Sequence, residues 1–372
     1  MTITGRQLPR ALRPLRHREF RCLVASLAAS LFGSGSWLVA AVWQVMALGG
    51  GPAQLSLVAT ATSIGMVACV LIGGVAADRL PKRGLLRTVE VVRIGFAGLI
   101  GVLAVTGQLR LWQLVVVSFV LGTAESFYYP AYSALVPTLL PERELLAANG
   151  LDGVLRPVAE QALGPAAAAV LVAAFNPGAA FLGAALGYGV ALLALLPLGS
   201  HAVPPQTADE SVFRQVGEGF RYLFRTGWLC ATLLWASLYV LLVVGPIEVL
   251  LPFAVRALPG GGASGYALVL AGFGVGSVLG SVLVSSRRLP RRYLSVMLLG
   301  WGFGALPMVL LGWTRQLWVM AAATLVVGVT LGVGTVIWGT LLQQRVPAHM
   351  LGRVSSLDFF VSLALMPVSM AV

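Results

Sequence analysis

Four acidic residues and one arginine stand where an apolar chain tolerates charge least. Asp152, Arg156 and Glu160 follow at i, i+4 and i+8, so a helix carries them as an acid–base–acid ladder on one face. Glu125 sits in "GTAESFYYPAY" and Glu248 in "VVGPIEVLLP", each inside a long apolar run. Charges at such depth are expensive and face a cavity or a partner. Two readings of the ladder fit. Arg156 neutralises both neighbours and tethers the helix, or one of the acids carries a proton. A carboxylic acid in low-dielectric surroundings can exchange its proton near neutral pH. Glu125, Glu160 and Glu248 are therefore the candidates for handling protons or substrate, with Arg156 as the counter-charge. Trp43, Gln44, Tyr128, Tyr129, Tyr132, Tyr239, Trp338 and Gln343 supply amphipathic walls suited to a bulky, partly apolar solute. Tryptophan and tyrosine also anchor membrane interfaces, a reading that suits Trp112, Trp228 and Trp318.

These residues need long helices to hold them. The chain has 372 residues, of which 58% are hydrophobic and only 10% charged, against roughly 45–50% apolar in soluble domains. Its apolar runs are solid and each approaches the ~20 residues that cross a bilayer as a helix. A barrel would alternate apolar and polar positions instead. The sequence predicts an all-α polytopic membrane protein with eleven spans. They lie near 20–47, 54–77, 85–106, 111–138, 145–174, 177–198, 227–255, 264–286, 293–312, 317–343 and 351–372.

The net charge of +12 is a topology signal. With those spans, the N-terminal arginines and the clusters at Arg79–Arg87, Arg143, Arg214–Arg225, Arg287–Arg292 and Arg345–Arg353 share one side. Arg110, Arg256 and Arg315 remain for the other. Basic residues stay cytoplasmic, which places the N-terminus inside and the chain in the cell (inner) membrane as a multi-pass protein. No basic stretch is interleaved with exposed aromatics for base stacking, so a nucleic-acid partner is not expected. Cys22, Cys69 and Cys230 are scattered and form no CxxC pair, and His17, His201 and His349 fall in loops or flanks. No metal or other cofactor is expected. The first apolar run lacks a small-residue cleavage site and reads as a retained helix.

Two halves are visible: 1–198 with six spans, and 227–372 with five. The polar linker 199–226 lies between them. It opens with Pro204-Pro205 and continues as an amphipathic stretch. Phe213, Val216, Phe220 and Leu223-Phe224 share a face, which suits a helix on the inner membrane surface. The halves echo each other. "DRLPKR" at 78–83 matches "RRLPRR" at 287–292; Gly65, Cys69 and Gly73 match Gly272, Gly276 and Gly280; Gly122 matches Gly328; and Leu151-Asp152 matches Leu357-Asp358. Parallel repeats of six helices imply a transporter with its site between the halves. By that offset the second half is expected to be one helix short of six. The small-residue ridges of the second and eighth spans are expected to pack within a monomer.

The most charged short loop is "GGVAADRLPKRG" at 73–84. Gly74 permits close helix approach, and Asp78 can form charge-assisted bonds to a facing helix N-terminus or to arginines. From Gly74 to Arg83 the stretch resembles the loop signature of the major facilitator superfamily, Gly-x-x-x-Asp-Arg/Lys-x-Gly-Arg/Lys-Arg/Lys. The layout of the whole chain is similar to that family too. Pro81 stands where the family has glycine, so the turn must differ; Pro290 repeats this in the second copy, where Arg287 replaces the acid. The resemblance implies a major facilitator fold with two pseudo-symmetric six-helix halves, the second one span short. It also implies an inner-gate latch built from Gly74, Asp78, Arg79, Lys82, Arg83 and Asp152, with Asp152 as a partner for Asp78. The alternative is a positive-inside loop with a helix cap. "Gly164-Pro165-Ala-Ala-Ala168-Ala169" partly resembles the superfamily's antiporter signature and marks a kink in the fifth span.

The N-terminal layout looks like the branch that holds siderophore exporters and macrolide efflux proteins. The resemblance implies a proton-coupled exporter of a bulky amphipathic small molecule, working by alternating access. Its partners would be that substrate, protons and the lipid bilayer. A lysophospholipid flippase, or a non-transporting sensor or scaffold on the same fold, remains open. No GxxxxGK[ST] loop for a nucleotide occurs, and no nucleophile–base pair or mid-membrane histidine suggests an enzyme.

Overall fold

The computed structural model describes residues 9–199, 212–244, 251, 254–255, 258 and 263–364. Glu248, the Pro204-Pro205 stretch, most of the seventh span after Val244 and residues 365–372 lie outside the described residues. Secondary structure among the described residues is helical. A 3-10 segment (Arg10–Arg16) leads into α1 (Arg18–Ala47), α2 (Pro52–Arg79), α3 (Lys82–Val105) and α4 (Leu111–Leu139). Then follow α5 (Leu145–Leu155), α6 (Gly164–Ala174), α7 (Pro177–Leu195), α8 (Val212–Arg225) and α9 (Gly227–Tyr239). The chain goes on through α10 (Ala263–Ser285), α11 (Tyr293–Gly304), α12 (Val309–Trp313), α13 (Leu317–Arg345) and α14 (Leu351–Ala364). Among the described residues eight helical runs are long and apolar enough to cross a membrane, or nine if the bent pair α8–α9 counts as one span.

Among the described residues three of the expected spans leave the α-helical register: the seventh, which passes from α9 into a π-helical turn over Val240–Val244, and the fifth and ninth, where proline accounts for the break. The fifth is α5 and α6 joined by a π-helical turn over Arg156–Leu163. Pro157 and Pro165 bracket that turn, and neither has an N–H to donate four residues back. The residues between them bond in the wider register instead. The ninth breaks between α11 and α12 at a 3-10 turn, Leu306–Met308, that contains Pro307. Within the linker, α8 is bent by 98° from α9, the attitude of an amphipathic helix lying across the ends of the spans.

The repeated glycines are contact points. Gly65 and Gly73 on α2 face the α4 backbone at Phe119 and Ser126, and Gly122 on α4 faces Thr62 of α2. The second set repeats this. Gly272, Gly276 and Gly280 on α10 face Ala321, Leu325 and Val329 of α13, and Gly328 answers at Phe273. A Cβ at any of these positions would overlap the facing backbone. Both small-residue ridges therefore pack inside the chain. The cores follow this division in part, since the second also takes in Ala134 of α4 and Leu146 of α5. One cluster joins Phe20, Leu23 and Leu27 of α1 to Leu86 of α3 and Tyr128, Tyr132 and Leu135 of α4. Another joins Leu229, Met297, Trp301, Trp338 and Leu341 of the later helices. Leu186, Trp313 and Trp318 point outward, as lipid-facing residues do.

Gly280→Val is expected to destabilise the folded protein by about 1–3 kcal/mol, because the facing backbone cannot give way as a side chain can. Gly274→Val, six residues earlier on α10 with open space around it, is the control. Thermal unfolding in detergent checks the pair; equal midpoints would contradict the packing described here.

Candidate functional site

Asp78, next to the last residue of α2, is buried. Its Oδ1 accepts from the Gly352 N–H at 2.8 Å, and its Oδ2 from the Arg353 N–H at 3.2 Å and from Arg353 Nε at 2.9 Å. The carboxylate thus caps the N-terminus of α14, where unpaired N–H groups and the helix dipole favour an anion. Gly74, one turn earlier, lies against Gly352 and Ser356 with no room for a side chain. Arg353 reaches on to Glu218 of α8 at 3.0 Å and to the His349 carbonyl at 3.1 Å. One acid therefore ties α2, α14 and the linker helix together. Further bonds close the same end. Ser133 meets Ser355 at 3.1 Å, Asn149 donates to Gln343 Oε1 at 2.7 Å, and Gln343 Nε2 donates to the Ser133 carbonyl at 3.4 Å.

The other loop residues are placed differently. Arg83 pairs with Glu19 at 3.0 Å and donates to the Gly199 carbonyl, all within the first set of helices. Arg79 ends α2 and Lys82 begins α3, flanking the turn. Asp152 does not reach Asp78; it pairs with Arg156 at 3.5 Å. The partner of Asp78 is Arg353, which the sequence marks only as one more basic-side charge. In the second repeat the register of the glycine ridge, and not that of the loop, sets the equivalence: Ser281 and Ser285, and not Arg287, stand where Gly74 and Asp78 stand in the first, and they press on Gly153 and Gly150 of α5. That junction is packed with small residues and has no acid.

A second constellation lies deeper. Arg93 is eleven residues into α3, about 16 Å along at ~1.5 Å per residue. Its guanidinium donates to Ser30 Oγ of α1 at 2.6 Å and lies 3.5 Å from Glu90 Oε1, while Ser30 donates to Glu90 at 2.7 Å. The other arm pairs with Glu125 of α4. The Tyr128 and Tyr188 rings lie under the guanidinium, at 4.8 and 5.4 Å from their centroids, a favourable cation–π arrangement. The Glu90 side chain is 0% exposed and that of Arg93 4%, whereas that of Glu125 is 29% exposed. Glu125 is the open end of this set.

The α5 ladder adjoins it. Arg156 pairs with Asp152 and stands 5.8 Å from the Tyr129 ring centroid. Glu160, within the π-helical turn, is in electrostatic reach of Arg156, Glu125 and Arg93. Gly164 starts α6 and holds the turn against α1, where Ser36 donates to its carbonyl at 3.0 Å; Pro165 is the second residue of α6. Each set comprises two carboxylates and one arginine, so each is one proton short of neutrality when its acids are ionised.

The aromatic candidates separate. Tyr128 and Tyr132 are buried beside the first set's core, with ring centroids 6.3 Å apart. Tyr129 stacks on Phe359 at 5.1 Å, across to α14. Trp338 is buried in the second core and donates to Asp358 Oδ2 at 3.0 Å. Gln343 belongs to the closed end, and Gln44 is buried in α1. Trp43 is half exposed, and Tyr239 ends α9 where a π-helical turn begins. Trp228, read as an interface anchor, packs on Trp338 at 6.2 Å. Sequence reasoning missed Glu90 and Arg93. Their signal was an opposite-charge pair at i, i+3 well inside an apolar run, the pattern used for the ladder on α5.

Comparison with known proteins gives consistent results. The family described as transmembrane secretion effector matches residues 10–369. Macrolide efflux protein A of Streptococcus pyogenes is 23% identical over 368 residues, covering 95% of this chain and 87% of that protein. The multidrug efflux pump Tap of Mycobacterium tuberculosis (strain ATCC 25618 / H37Rv) is 28% identical over 359 residues, covering 91% and 82%. A crystal structure of a bacterial homologue of the iron transporter ferroportin, in an outward-facing state, superposes with a TM-score of 0.73 at 16% identity, covering 95% of this chain and 91% of that one. The proton:xylose symporter XylE gives a TM-score of 0.65 at 13% identity, covering 96% and 88%. The structural likenesses show the major facilitator fold.

Two outcomes are expected from this geometry. Arg93→Gln leaves Glu90 without a counter-charge in a dry site and is expected to cost about 3–5 kcal/mol, much of which Arg93→Gln/Glu90→Gln should recover. Equal unfolding midpoints for the single and double variants would contradict the pairing. Separately, Asp78→Asn removes the charge that holds α14. Ser356→Cys, sealed behind Gly74, should then react with a maleimide roughly tenfold faster than it does with Asp78 intact. Unchanged labelling would show that the acid does not hold this end closed.

Proposed function

Because the chain belongs to the transmembrane secretion effector family of the major facilitator superfamily, we propose that it exports a bulky amphipathic small molecule from the cell in exchange for protons. The observation that carries the proposal is Glu125, a partly exposed carboxylate where two charge sets meet, each with one more acid than base. A proton on Glu125 cancels its attraction for Arg93. The guanidinium is then left to Ser30 and Glu90, and the surroundings of Arg156 and Glu160 lose a negative charge. A cationic or polar group of the substrate does the reverse when it competes for the ionised carboxylate. Proton and substrate thereby exclude each other at one group, which is the requirement for exchange.

Alternating access is assigned to the closed end. With the N-terminus in the cytoplasm, the junction of Asp78 with α14 is an inner latch, and Arg353 and Glu218 carry its state to α8. The substrate occupies the space between the halves, where Tyr129 and Phe359 face each other. The efflux activities named for the macrolide and multidrug relatives support this direction and this substrate class. Residues 1–198 and 227–372 serve as the two rocking units, and 199–226 links them.

The test is lumenal pH in energised inverted vesicles on addition of amphipathic drugs. Substrate-triggered proton release is expected, and Glu125→Gln should lower its rate roughly tenfold or more. Release that is unchanged in Glu125→Gln would move the carrier to Glu160. Transport without proton release would overturn the coupling. No flux of any drug, with lipid translocation by the same vesicles, would favour a lysophospholipid substrate.

A further inference from the structure

A cleft of about 220 Å³ opens at the basic end, lined by neither Asp78 nor any member of the Arg93 and Arg156 sets. We propose that it binds a phosphate-bearing anion, which bridges the two halves. Arg10 and Arg13 on the 3-10 segment before α1, Arg143 just before α5, and Arg287 and Arg288 just after α10 all line it. Three of these arginines belong to the first half and two to the second.

Among the described residues none of the five has a protein partner for its guanidinium. Their neighbours do: Arg16 pairs with Glu144 at 2.6 Å, Arg87 donates to the carbonyls that end α7, and Arg345 donates to the Tyr293 hydroxyl. The two acids at the cleft do not balance it. Glu144 is already held by Arg16 and by His17 at 3.0 Å, which leaves Glu142 alone on the rim. Five guanidinium groups converging on one concavity repel one another, and a bound anion relieves that repulsion. Arginine forks match phosphate oxygens in pairs.

The size points the same way. The cleft is below the roughly 300–1,000 Å³ of a site for a drug-sized molecule, so it suits a compact anionic group and not the exported solute. The ligand chemistry is a phosphate ester or free phosphate. A basic pocket between spans at the cytoplasmic surface suits an anionic lipid headgroup, and a soluble phosphate offers the same oxygens.

Two double variants test the site in the full chain. Arg287→Gln/Arg288→Gln removes two lining charges, while Arg291→Gln/Arg292→Gln removes two from the same loop outside the cleft. Each is reconstituted in phosphatidylcholine with or without phosphatidylglycerol, and lipid retention is read by native mass spectrometry. Inorganic pyrophosphate, added to the protein in phosphatidylcholine alone, is read by the shift in melting temperature. Phosphatidylglycerol held about tenfold less by the first variant than by the second establishes a headgroup site. A pyrophosphate shift lost only in the first variant establishes a soluble ligand. Equal behaviour of the two variants with both probes would overturn the proposal.

Discussion

A charge inside a bilayer must be matched by a charge, and the guanidinium of Arg93 sets that condition for the first half of this protein. Two carboxylates, a serine and two tyrosine rings converge on it from α1, α3, α4 and α7. Those helices cannot shift independently without stranding one of these groups in an apolar surround. The close contacts around it serve the same end. Gly33 admits the Tyr188 ring, and Gly187 lets α7 lie against α1.

The closed end shows how one repeat was specialised. Both repeats bring a helix end onto the facing half through small residues, Gly74 on Ser356 and Ser281 on Gly153. Only the first adds an acid that caps a helix across the junction. A symmetric pair of small-residue contacts packs by shape alone; the Asp78 cap adds charge-assisted bonds to one of them. The arginine it holds also pairs with Glu218, which joins α8 to the same junction. The second junction has the basic cleft beside it, where electrostatics runs the other way, toward repulsion.

Much of this was legible in the sequence, because the bilayer restricts what each residue can mean. The helical class, the repeated glycine ridges, a helix within the linker and the capping role of Asp78 all follow from spacing and charge. The interruptions in the fifth and ninth spans needed only Pro157, Pro165 and Pro307 to be read as missing donors. What failed was partner assignment. Asp152 keeps the Arg156 pairing of the ladder and not the contact with Asp78 that the resemblance implied, while Arg353, 275 residues from Asp78, has no local mark of its role. Glu90 and Arg93 were overlooked because they lie nearer a charged loop than Glu125 does, though their i, i+3 spacing carried the signal. Trp338 and Gln343 have the composition of cavity walls, but their depth is set by packing between helices that sequence alone does not juxtapose.

The central claim is that Glu125 holds the exchangeable proton and gives it up when substrate arrives. Difference infrared spectroscopy of the reconstituted protein, with and without a transported drug, observes this group directly. The account predicts a protonated-carboxyl band that disappears as drug binds and is missing from Glu125→Gln. A band that survives drug binding, or that persists in Glu125→Gln, would contradict it.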